Sequence, residues 1–268
     1  MTDYVGKKSD ELTNKKLWLI DMDGTIYRGN TLFEGIIDFL KNLTEIGAQY
    51  VFMTNNPSKN VNDYIDKLNS MGIFVTQDNI FSSADAAALY LGEKFKNKKI
   101  YAQGTRSFIS GLKKEGLIVT ESVDEDISCV LVSYDTELTF EKLDAICRAL
   151  KKEVPYYATN QDFTCPTEYG FVPDCGSMCF GLEKATGKKP VFIGKPQPFM
   201  PEIVMRKKGI KKEQTVIVGD VLYTDIACGI NAGIDSLLVL SGSTSIKEVE
   251  KSDIKPTYIF ERLSDVKL

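Results

Sequence analysis

Short apolar runs alternate with amphipathic stretches along most of this chain, and several of the apolar runs end on a polar residue. LWLI (17–20) climbs to Asp21, steps over Met22 to Asp23, and breaks at Gly24. QYVFMT (49–54) ends at Thr54 before the turn-forming NNPSKN, VFIGKP carries Lys195, and TVIVGD (215–220) ends on Asp220. Between the runs, FEGIIDFLKNLTEIG spaces Ile36, Ile37, Leu40 and Leu43 for one helical face. VNDYIDKLNSMG reads as a second helix, closed by Gly72. Strand and helix in this order imply parallel strands joined by crossovers, an α/β fold. The carboxyl ends of parallel strands share one edge of the sheet, where ligands bind. Asp21, Thr54, Lys195 and Asp220, far apart in sequence, are expected to converge there.

The middle of the chain reads as an α/β unit of its own. KKIYAQG, CVLVSYD (129–135) and PYYAT are strand-like and are separated by helical stretches, among them TFEKLDAICRALKK. The block is far too long to be a connecting loop. The expected organisation is a core from 1–79 and 188–268, with an inserted domain over 80–187.

Composition narrows the chemistry. The 268 residues contain no histidine, which excludes in cis the Ser-His-Asp and Cys-His devices and histidine-liganded zinc or iron. Acid–base work falls to carboxylates, Lys, Tyr or Cys. The six cysteines form no CxxC pair and read as reduced, mostly buried thiols. A net charge of -4 argues against a broad nucleic-acid surface. The basic clusters KFKNKK and RKKGIKK fall at helix ends, where cations complement the dipole and face solvent. No apolar run is long enough to span a bilayer, and the polar MTDYVGKKSDELTNKK has no signal-like apolar region. A cytoplasmic location, without membrane or nucleic-acid partners, is the expectation.

If the strand ends converge, Asp21 and Asp23 meet Asp220 and Asp225 of GDVLYTD in a small space. Carboxylates that close do not all stay ionised without a counter-charge. Magnesium suits them, because it takes oxygen ligands, needs few carboxylates and bridges to phosphate. Lys195 adds a fixed cation, and Thr54, Asn55 and Asn56 offer hydroxyl, amide and backbone donors at a turn. Together they make a cradle for a tetrahedral dianion. The residues point to magnesium-dependent phosphoryl chemistry.

DMDGT (21–25), TNN (54–56), GKP (194–196) and GDVLYTD (219–225) resemble, in order, the four signature motifs of the haloacid dehalogenase superfamily of phosphohydrolases. The long middle insertion resembles a C2-type cap. TNNPSKN, ATNQD and CGSMCFGLEKATGKKPVFIGKPQP resemble subclass IIA, the branch of NagD-like and p-nitrophenylphosphatases. The resemblance implies a Rossmann-like core and a set of roles. Asp21 would be the nucleophile that forms an aspartyl-phosphate, and Asp23 the general acid and then base. Magnesium would be held by Asp21, the Asp23 backbone carbonyl and Asp220, with Asp225 behind them orienting a water or Lys195. Thr54, Asn55, Asn56 and Lys195 would hold the phosphoryl oxygens.

The cap must choose the substrate, since the core motifs handle only phosphate. In this subclass a loop after the ATN-like strand approaches the leaving group. Here that loop is ATNQDFTCPTEYG, with Asn160, Asp162, Thr164 and Cys165 as candidates and ordinary turn chemistry as the competing reading of Asn160 and Asp162. Some relatives carry histidine where Cys165 precedes Pro166, so their substrate preference does not transfer. Tyr157, Phe163 and Tyr169 read as cap packing rather than base-stacking residues. The expected activity is hydrolysis of a small phosphomonoester such as a nucleotide monophosphate, a sugar phosphate or p-nitrophenyl phosphate. A phosphotransferase on the same aspartates, or a non-catalytic binding protein on the same fold, are the alternatives. Relatives often dimerise through the cap, which extends a homodimer expectation to this chain.

Overall fold

The computed structural model describes residues 2–123, 126–167 and 169–268. The fold is α/β, and the chain divides into two compact units. One comprises Met1–Thr54, Tyr64–Phe81 and Lys195–Leu268; the other comprises Asn55–Asp63 and Ser82–Gly194.

The first unit is built on a six-stranded sheet. Its strands lie in the order Tyr258–Phe260, Asp235–Val239, Thr215–Gly219, Leu17–Ile20, Gln49–Thr54 and Ile80–Ser82. The pairings across the first five are parallel. Leu17–Ile20, at the centre, is buried along its whole length, as expected of a strand covered on both faces. Trp18 meets Phe39 edge to face, with ring centroids 5.4 Å apart. Phe39 belongs to helix Ile36–Glu45, whose buried residues are Ile36, Phe39, Leu40 and Leu43. The sequence reading had Ile37 on that face; it is exposed instead. Residues three, four and seven along from Ile36 share its face, whereas the next residue is turned about 100° away.

The second unit has its own sheet, in the order Val191–Phe192, Tyr156–Ala158, Ile127–Val132, Lys99–Gln103 and Ile118–Thr120, with every pairing parallel. Its apolar core includes Val130, Val132, Ile146, Leu150, Tyr156 and Leu182. Helices start where side-chain caps allow: Thr105, Thr139 and Asp174 each accept a hydrogen bond from the first turn they precede. The predicted strand 129–135 starts two residues earlier and stops at Val132. Beyond it, Asp135 Oδ1 accepts the Glu137 N–H at 2.8 Å, a local turn that replaces the ladder. Thr164–Thr167 and Gly170–Pro173 form a separate antiparallel hairpin.

One strand differs in membership from its prediction. VFIGKP forms only the short strand Val191–Phe192, and it pairs in the second unit's sheet. Ile193 and Gly194 still donate to Ala158 and Thr159, at 3.0 and 2.7 Å. The run cannot continue past Lys195, because Pro196 has no N–H to donate. Among the described residues no helix is long and apolar enough to cross a membrane.

Candidate active site

Register sets the height of the site in the first unit. Ile20 lies level with Phe52 on one side and Val218 on the other, so Asp21, Thr54 and Asp220 leave the sheet within two residues of the same level. The Asp21 N–H extends the ladder by donating to Val218 O at 2.8 Å. Asp21 and Asp23 both lie beyond the strand end and flank the buried Met22; Asp23 itself is exposed. The chain then folds back, with Ile26 N–H donating to Met22 O and Gly24 N–H to Tyr27 O. Gly24 has φ +81, and a Cβ there would lie 2.5 Å from Asp220 Oδ2, so both backbone and space require glycine.

Lys195 is enclosed between two carboxylates. Its Nζ lies 2.6 Å from Asp21 Oδ1 and 2.6 Å from Asp225 Oδ1, and donates to Met53 O at 3.2 Å. Burial alone would push its pKa down, but the two carboxylates outweigh burial and hold it well above its ordinary value. Asp225 sits in the tight turn Leu222–Ile226, and its second oxygen accepts the Val221 N–H at 3.1 Å. It therefore does not cap the helix that follows. A Cβ on Gly219 would run into the Asp225 carboxyl, so the glycine of GDVLYTD makes room for it.

Asp220 is held by the loop after Asp235–Val239. The Ser243 N–H donates to its Oδ2 at 2.6 Å, Thr25 Oγ1 lies 3.4 Å from its Oδ1, and Gly242 packs directly against the carboxyl. Burial, reinforced by the charge of Asp225, pushes Asp220 up to about 6 against the pull of the Ser243 bond. Asp21 is also raised. Burial is the main cause, opposed by Lys195 and reinforced by Asp225 and Asp220. Carboxylate oxygens of Asp21, Asp220 and Asp225 all lie within 4.8 Å of one another. The cluster thus holds three carboxylates and one ammonium, and with all three carboxylates ionised two negative charges are left to balance. Among the described residues this is the group of acidic side chains placed to hold a metal ion.

The sequence missed two supports. Ser243 and Gly242, which hold Asp220, come from a small-residue SGS stretch that the sequence reading did not single out. Tyr27, buried and hydrogen-bonded to Asp23, has its hydroxyl pKa raised, first by burial and then by that carboxylate. Lys67 caps its ring at 3.7 Å from the centroid.

The remaining candidates lie in the second unit. Asn55 and Asn56 follow Thr54 directly in the chain. Asn55 Nδ2 donates to Asp162 Oδ2 at 2.7 Å, and its carbonyl accepts from Ser83 Oγ at 2.6 Å. Asn56 Oδ1 accepts from the Ser58 N–H and hydroxyl, at 3.0 and 2.6 Å. Thr164 and Cys165 lie on the first hairpin strand; Cys165 packs against the unit's apolar core and contacts the Tyr134 hydroxyl. Tyr157 is buried against Tyr90 and Phe95, but Phe163 and Tyr169 are exposed and take no part in the core.

Residues 18–118 match the family model of haloacid dehalogenase-like hydrolases, and residues 192–266 match a HAD-hydrolase-like model. The chain is 34% identical over 255 residues to an acid sugar phosphatase of Staphylococcus saprophyticus, covering 95% of this chain and 98% of the relative. It is 35% identical over 250 residues to the 5'-nucleotidase YutF of Bacillus subtilis, covering 93% and 96%. The crystal structure of a 4-nitrophenylphosphatase from Thermotoga maritima superposes with a TM-score of 0.91 at 36% identity, covering 96% of this chain and 97% of that one. A glycerol phosphate phosphatase from Mycobacterium tuberculosis, solved in complex with magnesium, superposes with a TM-score of 0.88 at 27% identity, covering 95% of this chain and 77% of that one.

Proposed function

The chain belongs to the haloacid dehalogenase-like hydrolases, as a NagD-like phosphatase, and on that premise we propose that it hydrolyses a small phosphomonoester through an aspartyl-phosphate on Asp21, with magnesium. The observation that carries this reading is Lys195 held at 2.6 Å by both Asp21 and Asp225, beside Asp220, at the carboxyl edge of a parallel sheet.

The donor set fits magnesium. It consists of oxygens alone, and its two uncompensated negative charges match a divalent cation. Asp21, the Asp23 carbonyl and Asp220 would hold the ion, and Asp225, with one oxygen on Lys195 and the other on Val221 N–H, orients the lysine. When bound, magnesium supplies positive charge to the phosphoryl oxygens and neutralises the carboxylates.

The chain's own residues carry the rest. Lys195 fixes Asp21 Oδ1, and the second oxygen attacks phosphorus in line while the bond from phosphorus to the ester oxygen breaks. Asp23, at the exposed end of the turn, gives its proton to the departing alkoxide. It then takes a proton from water as that water attacks phosphorus, which releases orthophosphate and restores the Asp21 carboxylate. Thr54, Asn55, Asn56 and Lys195 hold the phosphoryl oxygens as charge redistributes. The alcohol moiety falls to the segment after Tyr156–Ala158, Cys165 included. The named relatives act on sugar phosphates, nucleotides and nitrophenyl phosphate, so the class proposed is small phosphomonoesters. A core drawn from the two ends of the chain with the cap between them, a homodimer through the cap and a cytoplasmic location go with this reading.

The test is phosphate release from p-nitrophenyl phosphate before and after chelation. EDTA should abolish it and added magnesium restore it. Activity that survives exhaustive chelation would rule out the metal.

A further inference from the structure

Tyr27 is only 1% exposed, and phenylalanine would fill the same space without carrying a hydroxyl into the interior. That hydroxyl is hydrogen-bonded to the Asp23 carboxylate, four residues back. The turn between them is held tightly. Ile26 N–H donates to Met22 O at 2.9 Å, Gly24 N–H donates to Tyr27 O at 2.8 Å, and a backbone bridge pairs Asp23 with Tyr27. From outside the turn, Ser241 Oγ donates to Gly24 O at 2.8 Å, and the Arg28 guanidinium donates to Ser241 O at 3.0 Å. The ring is fixed as well. Lys67 Nζ lies 3.7 Å from its centroid, and a cation over the ring face is attracted to it and holds it in place. All of these residues belong to the first unit.

From this arrangement we propose that Tyr27 is a positioning residue for Asp23, its buried hydroxyl holding the carboxyl that protonates the departing alkoxide. The inference rests on the general-acid role given to Asp23 above. A carboxyl on an exposed turn has several rotamers open to it, and proton transfer needs the one that directs it at the ester oxygen. A donor carried on a buried, capped ring does not move with the solvent-facing chain. A bond to it narrows the choice of rotamer before substrate arrives, which lowers the ordering cost of the chemical step. The bond therefore serves the leaving group and not the phosphate. The two carboxylates of DMDG are set by different means: an ammonium at 2.6 Å fixes Asp21, and a phenol fixes Asp23.

The need for a proton grows with the basicity of the alcohol, so the effect of losing the hydroxyl should follow it. Tyr27→Phe removes one oxygen and keeps the ring and its packing. The comparison is of kcat/KM, which covers the steps up to departure of the alcohol, for p-nitrophenyl phosphate, phenyl phosphate and a sugar phosphate. Tyr27→Phe should lower it by about 10- to 100-fold for the sugar phosphate, the range of a hydrogen bond to a charged group. For p-nitrophenyl phosphate, whose anion leaves without a proton, the loss should stay under about 2-fold, with phenyl phosphate between. Asp23→Asn should show the same trend with larger losses, and adding Tyr27→Phe to it should lower the rate no further. Calorimetric binding of inorganic phosphate, which needs no proton transfer, should be equal in wild type and Tyr27→Phe. A loss common to all esters, a matching fall in phosphate affinity, losses that add to those of Asp23→Asn, or no loss at all would each overturn the assignment of Tyr27. An Asp23→Asn loss that is the same for every ester would instead overturn the general-acid reading beneath it.

Discussion

Lys195 does two jobs with one charge. Burying an ammonium is costly, and here the cost is offset by two carboxylates at 2.6 Å and a backbone carbonyl at 3.2 Å. The same contacts fix the direction in which Asp21 presents its oxygens. Lys195→Met keeps the apolar stem and removes the charge, leaving Asp21 and Asp225 facing each other unbalanced. At neutral pH it should cost about 3 kcal/mol of unfolding free energy or more, measured by denaturant titration, together with the loss of phosphate release. The deficit should shrink on acidification, because protonating the freed carboxylates removes their repulsion. At this scale the sequence was informative about identity and less so about support. The charged residues stand in recognisable strings, whereas Ser243, Gly242 and Tyr27 act through a backbone N–H, a missing Cβ and a buried hydroxyl. None of these leaves a distinctive pattern in one chain.

Elements were legible where burial alone dictates periodicity. Leu17–Ile20 and Thr215–Gly219 are continuous apolar runs because both faces of the sheet are covered. Membership of a sheet was harder to read. Val191–Phe192 has the same apolar character as a core strand, and only its partner, Tyr156–Ala158, shows which sheet it serves. Pairing is a tertiary fact that local pattern does not encode. The start of helix Cys175–Thr186 carries a further consequence. Its cap, Asp174, is buried with Asn160, and burial pushes its carboxyl up to about 6. Its unfolded value is about 3.9. The folded state therefore holds this proton more tightly, and the contribution is fully present below the unfolded value and lost as pH rises through about 6. Asp174→Asn keeps a capping oxygen and cannot ionise. Relative to wild type, the variant should gain on the order of 2–3 kcal/mol between pH 4 and 7. Denaturant melts of both proteins across that range check it, and a pH-independent difference would contradict it.

At the scale of the whole molecule, a parallel sheet brings strand ends from three distant parts of the chain to one level, and Lys195, from outside that sheet, joins Asp21 and Asp225 there. Leu17–Ile20 and Thr215–Gly219 are neighbours although nearly two hundred residues separate them, and Lys195 returns to the first unit after the whole of the second has been threaded. The order of the motifs was readable from the sequence because each follows an apolar run. The link between Asn55 and Asp162 was not, since it joins two polar loops 107 residues apart. The proposed reaction passes through Asp21 as its nucleophile. The direct measurement is phosphate release from p-nitrophenyl phosphate by Asp21→Asn in the presence of magnesium, with thermal unfolding recorded alongside. The expected result is a folded protein with no measurable turnover. Wild-type turnover by that folded variant would contradict it.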